Sequence, residues 1–143
     1  MPYALAMNWV HWVTRIHRGV YRSTGGRVGA RINGLEMVLL TTMGRKSGQP
    51  RTLPLACFRD GEDWIVVASN DGQDFHPAWW LNLQANPRAE AQLGRETRSI
   101  VAHEATDDDR ARLWPWLKQQ NSVYTKYEKK TDRRIPVVVL RKA

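Results

Sequence analysis

The chain has 143 residues, of which 42% are hydrophobic and 25% are charged, and its formal net charge at pH 7 is +8. These values are typical of one soluble globular domain, and the lack of a signal-peptide pattern and of an apolar run that could span a bilayer predicts a cytoplasmic protein. The positive charge favours an anionic partner, so that nucleic acid, a membrane surface and an anionic cofactor all remain open.

The first predicted element is an amphipathic helix over residues 3–22. Its apolar residues recur at three- and four-residue spacing, and its arginines fall on the opposite face. Such a helix either lies in a membrane interface or packs against its own domain, which is the commoner outcome. A glycine-rich, polar connector follows over residues 23–34. We therefore predict an N-terminal unit over residues 1–34 and a second unit, which holds the strands, over residues 35–143.

The second unit begins with β-prone runs that are separated by turn residues. Pro54 within the second run indicates an edge strand or a bulge, and Arg59-Asp60-Gly61-Glu62 indicates a hairpin turn after it. The fourth run is open to pairing between subunits as an edge strand. The six predicted strands cover residues 35–42, 52–58, 64–69, 89–93, 97–105 and 135–140.

Two helical regions interrupt the strands. A short helix is predicted over residues 77–86, after the polar loop 70–75, because a proline opens it and another follows its end. The second region starts at Thr106, which has the side chain of an N-cap and is followed by three aspartates that suit the positive end of a helix dipole. Pro115 is predicted to kink or restart this helix, whose pattern resumes through Lys130.

Hairpins dominate this order, and alternation of single strands with helices is missing, which predicts an antiparallel, barrel-like α+β fold rather than a Rossmann domain. The histidines and Cys57 do not have metal-ligand spacing, and no metal site is expected. Cys57 lies in an apolar run and is predicted to be a buried thiol in a reducing compartment. No nucleophile elbow, dinucleotide glycine motif or nucleic-acid module is visible. If the chain is an enzyme, a bound cofactor supplies its chemistry.

The loop between the first two predicted strands is the most informative segment. It contains Gly44-Arg45-Lys46-Ser47-Gly48-Gln49-Pro50-Arg51, in which two glycines let backbone amides approach a ligand and three cations lie beside them. Nearby threonines add hydroxyl groups. These are the groups of a phosphate or carboxylate cradle, although the spacing is not that of a Walker A loop. On spacing alone, a solvated hairpin turn with charged tips remains the alternative.

Four segments follow one another in a distinctive order. The loop, preceded by Leu40-Thr41-Thr42, comes first, and Val66-Val67-Ala68-Ser69 comes second. The third is His76-Pro77-Ala78-Trp79-Trp80-Leu81-Asn82, and the fourth combines Tyr124-x-x-Tyr127, Thr131-Asp132-Arg133 and Ile135-Pro136-Val137. Together they resemble the deazaflavin-dependent nitroreductase family, also called F-420H2-dependent quinone reductases. The resemblance runs from about residue 35 to residue 140.

This resemblance implies a split β-barrel like that of flavin-mononucleotide-binding proteins. It also implies coenzyme F-420, an 8-hydroxy-5-deazaflavin with a phosphate and an anionic oligoglutamate tail, which the cationic loop would hold. The residues that the resemblance assigns to the cofactor are Leu39, Leu40, Thr41, Arg45, Lys46, Ser47, Gly48, Gln49, Pro50, Arg51, Ile65, Val66, Val67, Ala68, Ser69, Ala78, Trp79, Trp80, Leu81, Asn82 and Tyr124.

The implied reaction is hydride transfer from C5 of the reduced deazaflavin to a quinone-like or nitroaromatic acceptor, followed by a proton. Tyr124 matches a family tyrosine near the cofactor and substrate, so it is the first candidate for orienting the substrate or donating the proton. Tyr127 and Ser69 are the second candidates, and a core position on a helix face is the alternative for Tyr124. Departures from the family pattern at Ala56, Asn70 and Asn121 concern the acceptor pocket.

Other functions of the same fold stay open at this point. The cofactor could be flavin mononucleotide, although a single phosphate needs fewer cations than this loop has. The acceptor could be a double bond in a lipid or polyketide, or the chain could be a non-catalytic deazaflavin carrier or a membrane-surface binding module. A membrane quinone would suit peripheral contact of the N-terminal helix with the inner face of the cell membrane. Nucleic acid is not expected as a partner.

Overall fold

The computed structural model describes residues 31–32 and 34–143. In this part the chain forms eight strands, three α-helices and one 3-10 turn at Asn70–Gly72. The predicted helix over residues 3–22 lies outside the described residues, so its packing and its membrane contact stay predictions. The elements are β1 (Arg31–Ile32), β2 (Leu35–Met43), β3 (Pro50–Ala56), β4 (Phe58–Asp60), β5 (Asp63–Val67), α1 (Ala78–Ala85), β6 (Arg88–Leu93), β7 (Glu96–Glu104), α2 (Asp107–Gln120), α3 (Val123–Lys130) and β8 (Val137–Lys142).

The strands close into an antiparallel barrel. Their order is β1-β2-β6-β7-β8-β5-β4, and β3 also pairs with β2. Only Cys57 separates β3 from β4, and its backbone N–H donates to the Glu36 carbonyl oxygen at 2.9 Å. One bent strand thus pairs with β2 along β3 and with β5 along β4, which joins the two edges of the sheet. The predicted α+β barrel is confirmed, with six strands when β3 and β4 count as one and the short β1 is set aside.

Several strand predictions need correction. The predicted strand 52–58 bends at Cys57, in agreement with the bulge or edge that Pro54 indicated. The last strand starts at Val137 instead of residue 135, since Pro136 has no N–H and only its carbonyl oxygen joins the ladder, by accepting from the Ala68 N–H at 3.0 Å. The strand predicted over residues 89–93 forms as β6, but its predicted edge position is wrong, because β6 lies between β2 and β7. The predicted connector includes β1, which pairs with the start of β2.

The helices begin as predicted but continue differently. Thr106 caps α2, and its Oγ1 accepts from the Asp109 backbone N–H at 3.2 Å. The restart predicted at Pro115 is wrong, because α2 runs through this residue without interruption, and the alternative of a kink there stays a prediction. Ala111, whose carbonyl loses its helical partner to the proline, and Pro115 are both exposed, so water can satisfy that carbonyl. The helical region divides instead at Asn121, whose φ of −144° is not helical.

Two apolar clusters hold the described fold together, and β5 contributes alternate residues to each. Trp64 and Val66 belong to the cluster inside the barrel, where Trp79 and Trp80 of α1 join the strand residues. Ile65 and Val67 belong to the other cluster, in which α2 and α3 cover the outside of β5 and β8. The barrel therefore carries α1 against its interior and the α2–α3 pair on one outer face.

Candidate cofactor-binding site

The cationic loop is the connection of the β2–β3 hairpin and has a defined conformation. The Gly44 N–H donates to the Gln49 carbonyl oxygen and the Gly48 N–H donates to the Gly44 carbonyl oxygen, both at 2.8 Å. Gly48 has a φ of +68°, a conformation that favours glycine. Ser47 Oγ accepts from the Gln49 backbone N–H at 3.1 Å and from Arg51 Nη2 at 3.2 Å. The loop is thus ordered by its own backbone and by one hydroxyl group.

Gly44 is required for reasons of space. A Cβ atom at this position would lie 2.5 Å from Ser47 Oγ and 3.1 Å from the Gln49 carbonyl oxygen. No larger residue fits while Ser47 keeps its place under the loop. The sequence singled out this glycine for close approach to a ligand, and the structure shows that it permits close packing of the loop on itself.

Asn82 attaches the loop to α1. It is 4% exposed, and its Oδ1 accepts from the Arg45 backbone N–H at 3.1 Å and from Arg45 Nη1 at 3.0 Å. Its Nδ2 donates to Thr42 Oγ1 at 3.1 Å. Because both ends of the amide are engaged by the protein, Asn82 orients the loop and the Arg45 guanidinium rather than offering a free polar group.

An open cleft of about 280 Å³ lies between the loop and α1. Apolar atoms of Leu53 and Trp79 form part of its wall, and the loop cations form another part. The lining residues are Gly44, Arg45, Lys46, Ser47, Arg51, Thr52, Leu53, Ala78, Trp79 and Asn82. A cleft lined by cations and by apolar and aromatic atoms suits a planar ligand with an anionic extension.

The positive charge of the loop is not neutralised by neighbouring carboxylates. Eight ion pairs occur in the described part of the chain, and none of them includes Arg45, Lys46 or Arg51. All three residues are exposed. Some other surface arginines do have carboxylate partners, as in the pair of Arg59 with Glu36 at 3.0 Å. The loop therefore presents three unpaired cations to an incoming anion.

The structure brings together only part of the predicted cofactor set. The cleft is lined by four of the loop residues and three of the α1 residues that the sequence singled out. Leu53 lines it as well but was missed, although its place one residue beyond Thr52 in an alternating strand was a usable signal. The side chains of Ile65, Val66, Val67, Ala68 and Trp80 instead pack in the two apolar clusters. Leu39, Leu40 and Thr41 are fully buried in β2.

The three predicted catalytic residues do not line this cleft. Tyr124 is 4% exposed and packs against Phe58 and Trp114, with ring centroids 6.1 and 6.0 Å away. Burial raises the pKa of its phenol to about 12. Tyr127 donates its hydroxyl to Asp71 Oδ1 at 3.1 Å. The carbonyl oxygen of Ser69 accepts from Arg133 Nη2 at 2.9 Å. Tyr124 thus has the contacts of a core residue, which was the alternative to a catalytic role. The catalytic roles of all three residues stay predictions.

One buried donor near this site is without a partner among the described residues. The Nε1–H of Trp80, a residue that is 5% exposed, finds no acceptor among the described residues. Such a donor is unfavourable in a packed interior. No group of His, Cys, Asp and Glu side chains that could hold a metal ion is found in residues 31–32 and 34–143. None of the helices described there is long and apolar enough to cross a membrane.

Comparison with known proteins identifies the family. The profile of the F-420H(2)-dependent quinone reductase family matches residues 12–142. The chain belongs to this family. A curated F-420H(2)-dependent quinone reductase of Mycobacterium tuberculosis is 43% identical over 130 residues, which are 88% of this chain and 87% of that protein.

Solved structures agree with this assignment. The structure of an F-420-H2-dependent reductase, FDR-A, is 34% identical, with a TM-score of 0.68 over 74% of this chain and 94% of that one. An FAD-binding protein from Mesorhizobium loti shares the fold alone, with 16% identity and a TM-score of 0.52 over 76% of this chain and 80% of that one. The family's split-barrel fold is therefore confirmed for this chain.

Proposed function

We propose that this protein is an oxidoreductase that transfers a hydride from reduced coenzyme F-420 to a quinone. Membership of the F-420H(2)-dependent quinone reductase family supports the reaction and the cofactor. The single structural observation that carries the proposal is the cleft beside α1, which three cations without carboxylate partners line together with Trp79. A non-catalytic carrier is less favoured, because the relatives named here are reductases.

The residues of the cleft fit the cofactor. Arg45, Lys46 and Arg51 would hold the phosphate and the carboxylates of the tail, since charge-assisted hydrogen bonds to these groups are strong. Trp79 would face the apolar body of the cofactor. Asn82 would keep the Arg45 guanidinium in place through the bond that the two already share. A flavin mononucleotide, with one phosphate, would leave part of this charge unused.

When bound, the reduced cofactor supplies the hydride, and the chain binds, orients and protonates. A proton donor must be protonated at the working pH. Tyr124 is protonated at neutral pH, and burial raises its pKa to about 12, which makes it a weaker acid than an exposed tyrosine. We retain Tyr124, Tyr127 and Ser69 as the predicted candidates for the proton that follows the hydride. A quinone-like acceptor suits the fold better than a nitroaromatic one, because the relatives named in the comparison are quinone reductases.

The decisive experiment is a titration of the purified protein with oxidised coenzyme F-420, followed by tryptophan fluorescence, with flavin mononucleotide as the control ligand. We expect saturable binding of the deazaflavin and oxidation of the reduced form when a soluble quinone is added. Binding of the flavin alone would overturn the cofactor assignment. Binding of the deazaflavin without quinone turnover would favour the carrier.

The loop cations are tested by the double variant Lys46→Ala/Arg51→Ala. We expect the affinity for coenzyme F-420 to fall roughly 10- to 100-fold at low salt, because two charge-assisted contacts are lost. The difference from the unchanged protein should shrink as salt is added, since both cations are exposed. The matched control is Arg88→Ala/Arg95→Ala, which removes the same charge from exposed positions outside the cleft. Equal affinities in the two double variants would contradict the proposed site.

A further inference from the structure

Arg133 lies outside the cleft and connects the segment after β5 with the segment before α1. Arg133 follows α3 in the sequence Thr131-Asp132-Arg133, and its guanidinium reaches into the segment between the end of β5 and the start of α1. Its Nη2 donates to the Ser69 carbonyl oxygen at 2.9 Å, and its Nη1 donates to the Ala68 carbonyl oxygen at 3.2 Å. Its Nε donates to the Gln73 carbonyl oxygen at 3.1 Å. Three carbonyls of one segment are thus bound by one side chain.

The same guanidinium also contacts the residue that precedes α1. Arg133 Nη1 lies 2.9 Å from His76 Nδ1. His76 is followed by Pro77, the N-cap of α1, and the next residues of the helix line the cleft. Arg133 therefore links Ser69, just after the end of β5, to His76, just before the start of α1. A planar fork with five donors in fixed directions can make such a set of contacts, whereas a lysine ammonium cannot.

The segment needs such a support because its backbone has left the sheet. The last ladder contact of this strand is the bond from the Ala68 N–H to Pro136. Beyond it, the chain turns through Asn70 and Asp71, whose φ values of +46° and +55° lie in the left-handed region that these two residue types tolerate. Carbonyls that face away from the ladder must find other donors. Arg133 supplies these donors to Ala68 and Ser69.

Further contacts fix the same segment to α3. The Tyr127 hydroxyl donates to Asp71 Oδ1, and Lys130 Nζ donates to the Asp71 carbonyl oxygen at 2.9 Å. Thr131 Oγ1 donates to Asp74 Oδ1 at 2.7 Å. A Cβ on Gly72 would lie 3.0 Å from the Tyr127 backbone, so the turn is pressed against the helix. Segment 68–76 is therefore held from one side by α3 and by Arg133.

From this geometry we infer that Arg133 is a positioning residue of the cofactor site. It holds Ser69 and the start of α1 at a fixed separation, and thereby keeps Ala78 and Trp79 at the wall of the cleft. It has no carboxylate ion pair in the described residues, so its contacts serve backbone order rather than charge pairing. The inference rests on the proposed function, because it concerns the site for the deazaflavin.

The test compares Arg133→Ala with Arg134→Ala. Arg134 is the next residue, is exposed, pairs with Asp107 at 2.8 Å and touches nothing in segment 68–76, so its loss is a matched control. In the ligand-free protein, hydrogen exchange over residues 68–80 should accelerate at least 10-fold in Arg133→Ala and stay unchanged in Arg134→Ala. Affinity for oxidised coenzyme F-420 should fall about 10-fold in the first variant alone.

Two further readouts separate positioning from a general loss of stability. Millimolar methylguanidinium should restore part of the cofactor affinity of Arg133→Ala, since the small ion can occupy the vacated fork. The kcat with saturating reduced cofactor should stay within about twofold while its KM rises, because Arg133 touches no reacting atom. If Arg133→Ala does not fold, Arg133→Lys, which keeps the charge without the fork, takes its place and should show the same changes.

The results that would overturn the role of Arg133 differ from those that would overturn the proposed function. Unchanged exchange and affinity in Arg133→Ala, or equal changes in Arg134→Ala, would overturn the inference. Absence of coenzyme binding by the unchanged protein would overturn the proposed function instead, and the exchange measurement would still report whether Arg133 orders segment 68–76. A fall in kcat with KM unchanged would point to a direct catalytic role and would also overturn positioning.

Discussion

At the scale of single residues, the site depends on side chains whose hydrogen bonds go to other groups of the protein. Asn82 uses its whole amide to join the loop to α1. Ser47 uses its hydroxyl to close the loop, and accepts from Arg51. Arg45 and Arg51, two of the three loop cations without carboxylate partners, are held in place by these contacts, so that less side-chain entropy is lost when an anion binds. Preorganisation of the loop is therefore local and rests on few atoms.

Gly44 provides a prediction at this scale. Gly44→Ala should weaken coenzyme F-420 binding about 10-fold, because the new Cβ would lie 2.5 Å from Ser47 Oγ and would displace it. Titration of the variant by tryptophan fluorescence measures the change.

The double variant Gly44→Ala/Ser47→Ala is the control, since it removes the hydroxyl that the new methyl group strikes. It should bind more tightly than Gly44→Ala alone. If the single variant binds as well as the unchanged protein, the tight packing of the loop is not needed for the site.

At the scale of elements, the helices differ in how their first turns are stabilised. Thr106 Oγ1 caps α2, whereas Ser122, the N-cap of α3, makes no such side-chain bond. α3 is only eight residues long and is held by tertiary contacts, such as the bond from Tyr127 to Asp71. A short helix of this kind depends on packing rather than on its own propensity.

These two caps give a matched pair of variants. Thr106→Ala should lower the free energy of unfolding by about 1 kcal/mol, because an N-terminal N–H loses its partner. Ser122→Ala should change it by only a few tenths of that amount. Urea unfolding followed by circular dichroism measures both, and neither change should affect cofactor binding. Equal losses in both variants would show that the cap bond of Thr106 contributes nothing.

At the scale of the whole molecule, the barrel buries one carboxylate on its wall. Glu90 of β6 is 6% exposed, lies opposite Thr41 of β2 and accepts from Ser99 Oγ of β7 at 2.6 Å. Burial raises the pKa of Glu90, and the bond from Ser99 only partly opposes this. Glu90 thus holds its proton more tightly in the folded barrel than in the unfolded chain.

The raised pKa of Glu90 determines how the stability of the protein changes with pH. Because the pKa of Glu90 is higher in the folded state than in the unfolded state, the native protein binds more protons, and stability falls as pH rises through the folded pKa. Glu90→Gln keeps an acceptor for Ser99 and has no charge to bury. It should therefore be more stable than the unchanged protein at pH 7, and the gap should close as the pH falls to 4.5 and below.

Thermal unfolding across this pH range measures the difference. Ser99→Ala is the companion variant, because it removes the bond that lowers the pKa of Glu90 while leaving the carboxylate in place. It should steepen the loss of stability between acid and neutral pH. A difference between Glu90→Gln and the unchanged protein that does not vary with pH would contradict this account.

The class of the fold and the nature of the ligand could be predicted from the sequence alone. Turn residues between β-prone runs indicate hairpins, and hairpins without strand–helix alternation predict an antiparallel, barrel-like fold. The glycines and cations between β2 and β3 lie within one short segment, so their proximity needed no tertiary structure to be foreseen. Local order of the four family segments was enough to indicate a deazaflavin.

The residues that share the cleft could be found from the tertiary structure alone, because neighbours in sequence do not all line it. Asn82 meets the loop across 37 residues of chain, and Arg133 meets Ala68 across 65. Ile65 and Val66 are adjacent in sequence but pack on opposite faces of β5. Such contacts depend on how the barrel closes at Cys57 and where α1 docks, and local sequence patterns carry no information on distances between remote segments. The role of Arg133 became visible only for this reason.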